Sequence, residues 1–287
     1  MSPPLHDIPI LGMVSRPLVQ IPTEYGGATA PQGWWTEYPS GLVDVSRTSH
    51  ISDNGPPPLT PDLLEIPCDG NRVLRVKKDA TALVVIDMQN FFLHPDLRDH
   101  PTGLACVEPL LKCIPAIRAA GMRIIWVNWG LTDAELQTIP PSLVRGFMKN
   151  GRGGFGSELP DDFGRLLMRD AKNSALYGPL QAEFEAGQKA GTDVWIHKNR
   201  MSGLWGYQSA LDLYLQESGI TTLLFSGVNA DQCVGGTLID AYYRGYDCVL
   251  VKDATATTSP EGGYENILYN AGNSYGFVID SAALAAV

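Results

Sequence analysis

From residue 80 onward, short apolar, β-branched runs alternate with longer segments of helical spacing. Six runs predict strands: TALVVID (81–87), RIIWVNW (123–129), DVWIH (193–197), TLLFSG (222–227), CVLV (248–251) and GFVID (276–280). Their apolar residues run on with little polar alternation, which a strand requires only when both faces of its sheet are covered. Between them, GLACVEPLLKCIPAIRAA (103–120), YQSALDLYLQESG (207–219), CVGGTLIDAYYRG (233–245) and PEGGYENILYNAG (260–272) predict helices, several closed by a glycine suited to a C-terminal cap. Alternating βα units of this kind predict a three-layer α/β/α sandwich around a six-stranded parallel sheet, one domain spanning 79–287.

Two segments depart from that rhythm. Residues 1–78 are rich in Pro, Gly, Ser and Thr, hold Trp34, Trp35 and Tyr38, and show neither helical nor strand periodicity. They predict an extended N-terminal arm, with the aromatics laid across the main body or a neighbouring subunit because exposed tryptophan is costly. Segment 130–190 is the longest connection, with Pro140 and Pro141, the Gly-rich GRGGFG (151–156) and an amphipathic piece at 179–191. It predicts an insertion near the site. GRGGFG does not follow a strand directly, so a phosphate-cradling loop is not indicated, and DMQNFF after the first strand lacks the glycines that a dinucleotide requires.

Charge and cysteine usage narrow the partners. The 287 residues carry 21 Lys and Arg against 31 Asp and Glu, a formal net charge of −10, and no basic block to release counterions from nucleic acid. No apolar run approaches the ~18–20 residues of a membrane span, and MSPPLHDIPI lacks a secretory layout. A cytoplasmic protein with a small-molecule substrate, no nucleic acid and no membrane partner is expected. The five cysteines include no Cys-x-x-Cys pair, so neither a disulfide framework nor a zinc knuckle is indicated, and at least one thiol is free.

In an open parallel sheet, ligands bind at the carboxyl ends of the strands, where strand order reverses. Asp87 closes the first predicted strand, Lys198 follows the third, and the loop 228–232 after the fourth delivers Cys233 to a helix start. Singly, each has a structural reading as a turn cap, a surface lysine or a packing thiol. Together on one rim they suit nucleophilic catalysis. The ammonium and the helix N-terminus would lower the thiol pKa, Asp87 would take the thiol proton and return it to a leaving amine, and backbone N–H groups of the turn would face the oxyanion.

ALVVIDMQNFF (82–92), IHKNRMSGLWG (196–206) and LLFSGVNADQCVGGTLIDAYYRGYDCVLVKDATAT (223–257) resemble three signatures of the isochorismatase-like cysteine hydrolase superfamily. The resemblance covers about residues 80–285 and is nearest to the amidohydrolase members acting on ureidoacrylate and N-carbamoylsarcosine. It implies an Asp-Lys-Cys triad at Asp87, Lys198 and Cys233, a cis peptide between Val228 and Asn229, and an oxyanion hole from the backbone N–H groups of Asn229 and Cys233. It also implies a homodimer or homotetramer. Nicotinamidases of the superfamily carry metal-ligating histidines after the second strand, whereas no histidine occurs here between His100 and His197, so no metal and no cofactor are expected. Ether-cleaving members do not need the thiol, so Cys233 favours hydrolysis of an amide, ureide or lactam over vinyl-ether chemistry. A catalytically silent binding or scaffold protein of the same fold is the other alternative.

Candidate substrate contacts are Phe92, Asn128, Trp129, Met201, Leu204 and Trp205, apolar or amide side chains suited to a small, weakly polar acyl group. Arg200 is the nearest basic candidate for an anionic group, with a structural role equally open. Gln89 and Asn90 would hold Asp87 or a substrate oxygen, or bond the loop. Asp253 reads as a cap outside the triad.

Overall fold

The computed structural model describes residues 16–27, 33–52, 55–148 and 151–286. Its larger sheet comprises β6 (Thr81–Ile86), β7 (Arg123–Trp129), β8 (Asp193–Lys198), β9 (Thr222–Val228), β10 (Asp247–Ala256) and β11 (Gly276–Ile279), numbered after five strands of a smaller N-terminal sheet. The order is β11-β10-β9-β6-β7-β8 and every neighbouring pair is parallel. Every predicted strand is present, and β6 and β9 are buried along their whole length. That burial is the physical source of their uninterrupted apolar runs.

Helices surround this sheet, with two boundary differences. The predicted 103–120 stretch divides at Cys106 into Pro101–Ala105 and Val107–Ala119. The helix expected from Cys233 begins as Gly235–Tyr243, because Ala230–Val234 forms a single wider π turn ahead of it. Helices Pro179–Ala190, Ala210–Glu217 and Gly263–Asn270 lie within their predicted segments. Among the described residues no helix is long and apolar enough to cross a membrane.

The N-terminal segment departs from the extended arm expected for 1–78. It forms β1 (Thr23–Gly26), β2 (Trp34–Glu37), β3 (Leu42–Asp44), β4 (Leu63–Cys68) and β5 (Arg72–Lys77), a mixed sheet in the order β1-β2-β3-β5-β4. Most of these strands are too short to show a period, and Pro67 interrupts the pattern of β4. Their pairing is supplied by segments distant in the chain, as between Leu42 and Val73. The parts of the expected arm at 1–15, 28–32 and 53–54 lie outside the described residues.

This smaller sheet is clasped to the larger one at Asp247, the first residue of β10. The buried Asp247 carboxylate accepts hydrogen bonds from Arg47 Nη1 at 2.7 Å and Nη2 at 2.6 Å, from Trp35 Nε1 at 2.7 Å and from Thr222 Oγ1 at 2.7 Å. Beside it, Asp69 N donates to Val278 O at 3.0 Å on the edge strand β11, and Lys252 pairs with Asp69 at 3.0 Å. Removing one member of a buried, fully bonded ion pair strands the other charge at a cost of about 3–5 kcal/mol. Asp247→Ala is therefore expected to lower unfolding stability by an amount of that order in urea titration; a change under about 1 kcal/mol would show that the clasp does not hold the two sheets together.

Candidate active site

The chain order along the larger sheet reverses between β6 and β9, the point at which ligands of an open parallel sheet bind, beyond the carboxyl ends of its strands. Asp87 leaves β6 with φ of 52°, and its N–H donates to Val127 O at 3.1 Å. On the other side of the reversal, Gly227 sits at φ of 108°, where a Cβ would meet Ile86 O at 2.0 Å. Only glycine lets β9 approach β6 this closely. The chain then turns through Val228–Asn229, whose peptide bond is cis, into the turn carrying Cys233.

The three residues singled out by their strand-end positions meet. Lys198, the last residue of β8, places Nζ 2.9 Å from Asp87 Oδ2 and 3.3 Å from Cys233 Sγ. The same ammonium donates to the carbonyls of Arg200 at 3.2 Å and Met201 at 3.1 Å, and lies 3.8 Å from the centre of the Trp129 ring. Asp87, Lys198 and Cys233 are all buried. A buried ammonium needs such a shell, since losing water without replacement contacts costs several kcal/mol.

The electrostatics correct the expectation of a resting thiol with a lowered pKa. Burial, followed by the Asp87 charge, pushes the Cys233 thiol up to about 12, against the opposing pull of Lys198. Burial also raises Asp87 above its ordinary value, opposed by the Lys198 ammonium. Cys233 thus rests as a neutral thiol beside the Asp87 carboxylate, with no preformed thiolate.

The predicted contact residues separate. Asn128 and Trp129 end β7 fully buried, and neither the Asn128 amide atoms nor Trp129 Nε1 has a hydrogen-bond partner among the described residues. Met201 Sδ lies 3.4 Å from Cys233 Sγ. Phe92 packs edge-on against Phe91 beneath the Arg98 guanidinium, and Leu204 is buried with its carbonyl accepting from Arg244. Trp205, by contrast, is 52% exposed and stacks under Arg200 at 4.6 Å. Arg200 itself donates to the carbonyls of Asn199 and Thr138, tying the insertion to the turn after Lys198.

Gln89 does not hold Asp87. Its amide brackets Trp129, accepting from Trp129 N at 3.1 Å and donating to Trp129 O at 2.8 Å. Asn90 Nδ2 bonds Lys172 O, and Asp253 caps the C-terminal helix through Ser281. The sequence reading missed Phe147 and Phe155, which the insertion brings within 5.5 and 5.0 Å of the Trp129 ring. They stack on each other at 4.2 Å and extend the aromatic wall beside Lys198. Their only trace in sequence was the placement of 130–190 near the site.

With this geometry in view, comparison with known proteins is decisive. The Isochorismatase domain family model matches residues 81–283. The chain belongs to the isochorismatase family. It is 31% identical over 214 residues to ureidoacrylate amidohydrolase RutB of Methylorubrum extorquens, covering 72% of this chain and 82% of that one. Among solved structures it resembles N-carbamoylsarcosine amidase from Thermoplasma acidophilum, with a TM-score of 0.52, 26% identity, and coverage of 70% of this chain and 96% of that one. It also shares the fold of nicotinamidase PncA from Bacillus subtilis, with a TM-score of 0.54, 23% identity, and coverage of 70% and 98%.

Asp87→Asn removes the negative charge that raises the thiol pKa and leaves the ammonium in place. It is expected to move the pH profile of Cys233 alkylation by iodoacetamide to lower pH, read by peptide mass spectrometry. An unmoved profile, or one moved to higher pH, would refute this account of the thiol.

Proposed function

We propose that this protein is a cysteine amidohydrolase that cleaves the C–N bond of a small amide, ureide or lactam through a thioester on Cys233. The chain is a hydrolase acting on carbon–nitrogen bonds other than peptide bonds, the class of its named amidohydrolase relatives. The observation that carries the finer reading is the Lys198 ammonium touching both Asp87 and Cys233.

In the first half-reaction Cys233 Sγ forms a bond to the substrate carbonyl carbon as its proton passes to Asp87. Lys198 stabilises the developing thiolate, offsetting the burial that keeps the resting thiol neutral. The carbonyl electron pair moves onto oxygen, facing the backbone N–H groups of Asn229 and Cys233. Collapse of the tetrahedral intermediate breaks the C–N bond, and Asp87 returns the proton to the leaving nitrogen. Water then attacks the thioester with Asp87 again as base, the S–C bond breaks and the thiol is restored.

The Trp129, Phe147 and Phe155 wall suits a flat, small acyl group. Ureides, the substrate type named for the RutB relatives, are small and flat and are the first to test.

Ammonia release from a panel of primary amides, ureides and carbamoyl compounds, with ring opening for lactams, tests the reading. A hit is expected whose kcat falls at least about 10³-fold in Cys233→Ala, and a variant keeping full turnover would overturn the thioester route. Asp87 must start ionised, and its pKa is raised, so kcat/KM is expected to fall with acid through a limb lying above the ordinary carboxylate range. A limb at the ordinary carboxylate value would exclude Asp87 as that base.

A further inference from the structure

His100 stands outside the triad, yet its fully buried ring reaches the turn that carries the nucleophile. His100 Nδ1 accepts from Gly103 N at 2.9 Å, so the neutral ring carries its proton on Nε2. That Nε2–H donates to Asn229 Oδ1 at 2.8 Å. Thr258 N donates to the same oxygen at 3.4 Å, so two donors agree on which end of the Asn229 amide is oxygen. Burial pushes the His100 pKa below the ordinary imidazole value, which preserves the neutral tautomer at pH 7.

The sequence around His100 is shaped for this contact. His100 caps helix Pro101–Ala105, and Gly103 is packed so tightly that a Cβ there would meet His100 Nδ1 at 2.7 Å. Thr102 Oγ1 donates to Thr257 O at 3.0 Å, anchoring the same short helix to the segment after β10. The His100 ring is therefore fixed from its own helix, from the glycine beneath it and from β10. Its free N–H points to one acceptor, in the residue two places after Gly227 and four before Cys233.

We propose that His100 is a positioning residue, holding Asn229 by its side chain so that the Asn229 backbone N–H stays aimed at the oxygen of the substrate carbonyl under attack. The inference rests on the thioester reading of Cys233 and assigns that site a support reaching in from the segment after β6. A donor must sit within a few tenths of an ångström of the developing oxyanion to stabilise it, and loss of one such donor typically costs about 10²–10³-fold in rate. A tilt of Asn229 is expected to cost part of that.

Acetaldehyde tests this without knowledge of the substrate. Cys233 Sγ adds to its carbonyl carbon, the thiol proton passes to the carbonyl oxygen, and the hemithioacetal places that oxygen where the oxyanion would form, with no leaving group. Titration with ¹³C-labelled acetaldehyde gives the adduct's Kd by NMR, with Cys233→Ala as blank. His100→Phe and Asn229→Ala, each checked for native thermal unfolding, are expected to weaken the adduct about tenfold, and the double variant no more than either alone. His100→Gln, which keeps a donor, is expected to stay within about threefold of the parent.

A Kd unchanged in Asn229→Ala would overturn the inference alone, as would losses that multiply in the double variant. So would a His100→Gln loss as large as that of His100→Phe. If the parent forms no adduct beyond the Cys233→Ala blank, the nucleophile reading and this inference fall together.

Discussion

A dry ammonium at the meeting point of three strand ends governs this molecule. Lys198 is held away from water, so its charge must be satisfied by the Asp87 carboxylate, two backbone carbonyls and the face of Trp129. Each contact comes from a different place in the chain, so the ammonium fixes β6, β7, β8 and the turn 200–201 relative to one another. The same enclosure makes the contact of Lys198 with Cys233 stronger than it would be in solvent. It also keeps the resting thiol neutral, because a buried thiolate beside a carboxylate is disfavoured more than one ammonium can offset.

The supports around the centre follow from this need for fixed geometry. Gln89 brackets the backbone of Trp129, which keeps the indole face under Lys198. His100 holds Asn229 beside the turn of Cys233. Neither residue touches the ammonium or the thiol, yet each completes its hydrogen bonding only when the neighbouring strand end is in place. The insertion adds Phe147 and Phe155 against Trp129 and is tied back through Arg200 and Thr138. The smaller N-terminal sheet is fastened at the opposite end of β10, at Asp247, and bonds the edge strand β11. That arrangement joins the two sheets while leaving the reactive end of the central strands to the site.

Much of this was legible in the chain. The continuous apolar runs of β6 to β11 mark strands covered on both faces, and the strand-end rule alone selected Asp87, Lys198 and Cys233. The N-terminal sheet was not legible, because strands such as Leu42–Asp44 are too short to display a period and owe their existence to partners like Val73. His100, Phe147 and Phe155 were missed for a related reason. A histidine in a polar loop and two phenylalanines in a Gly-rich insertion carry no local pattern, and their roles arise from neighbours far away in sequence. That Trp205 is half exposed against Arg200 was equally illegible, because proximity to Lys198 in the chain says nothing about which way a turn projects its side chain.

By itself, then, the sequence determined the alternation of strands and helices, the buried parallel sheet and which three side chains stand at the ends of its strands, because burial and turn chemistry are written locally in residue type and spacing. Only the tertiary structure decided that those groups touch, that the thiol rests protonated, and which distant side chains brace them. Distances of 2.9 and 3.3 Å, and a pKa governed by desolvation, are properties of the enclosure that packing makes. No single segment contains that enclosure.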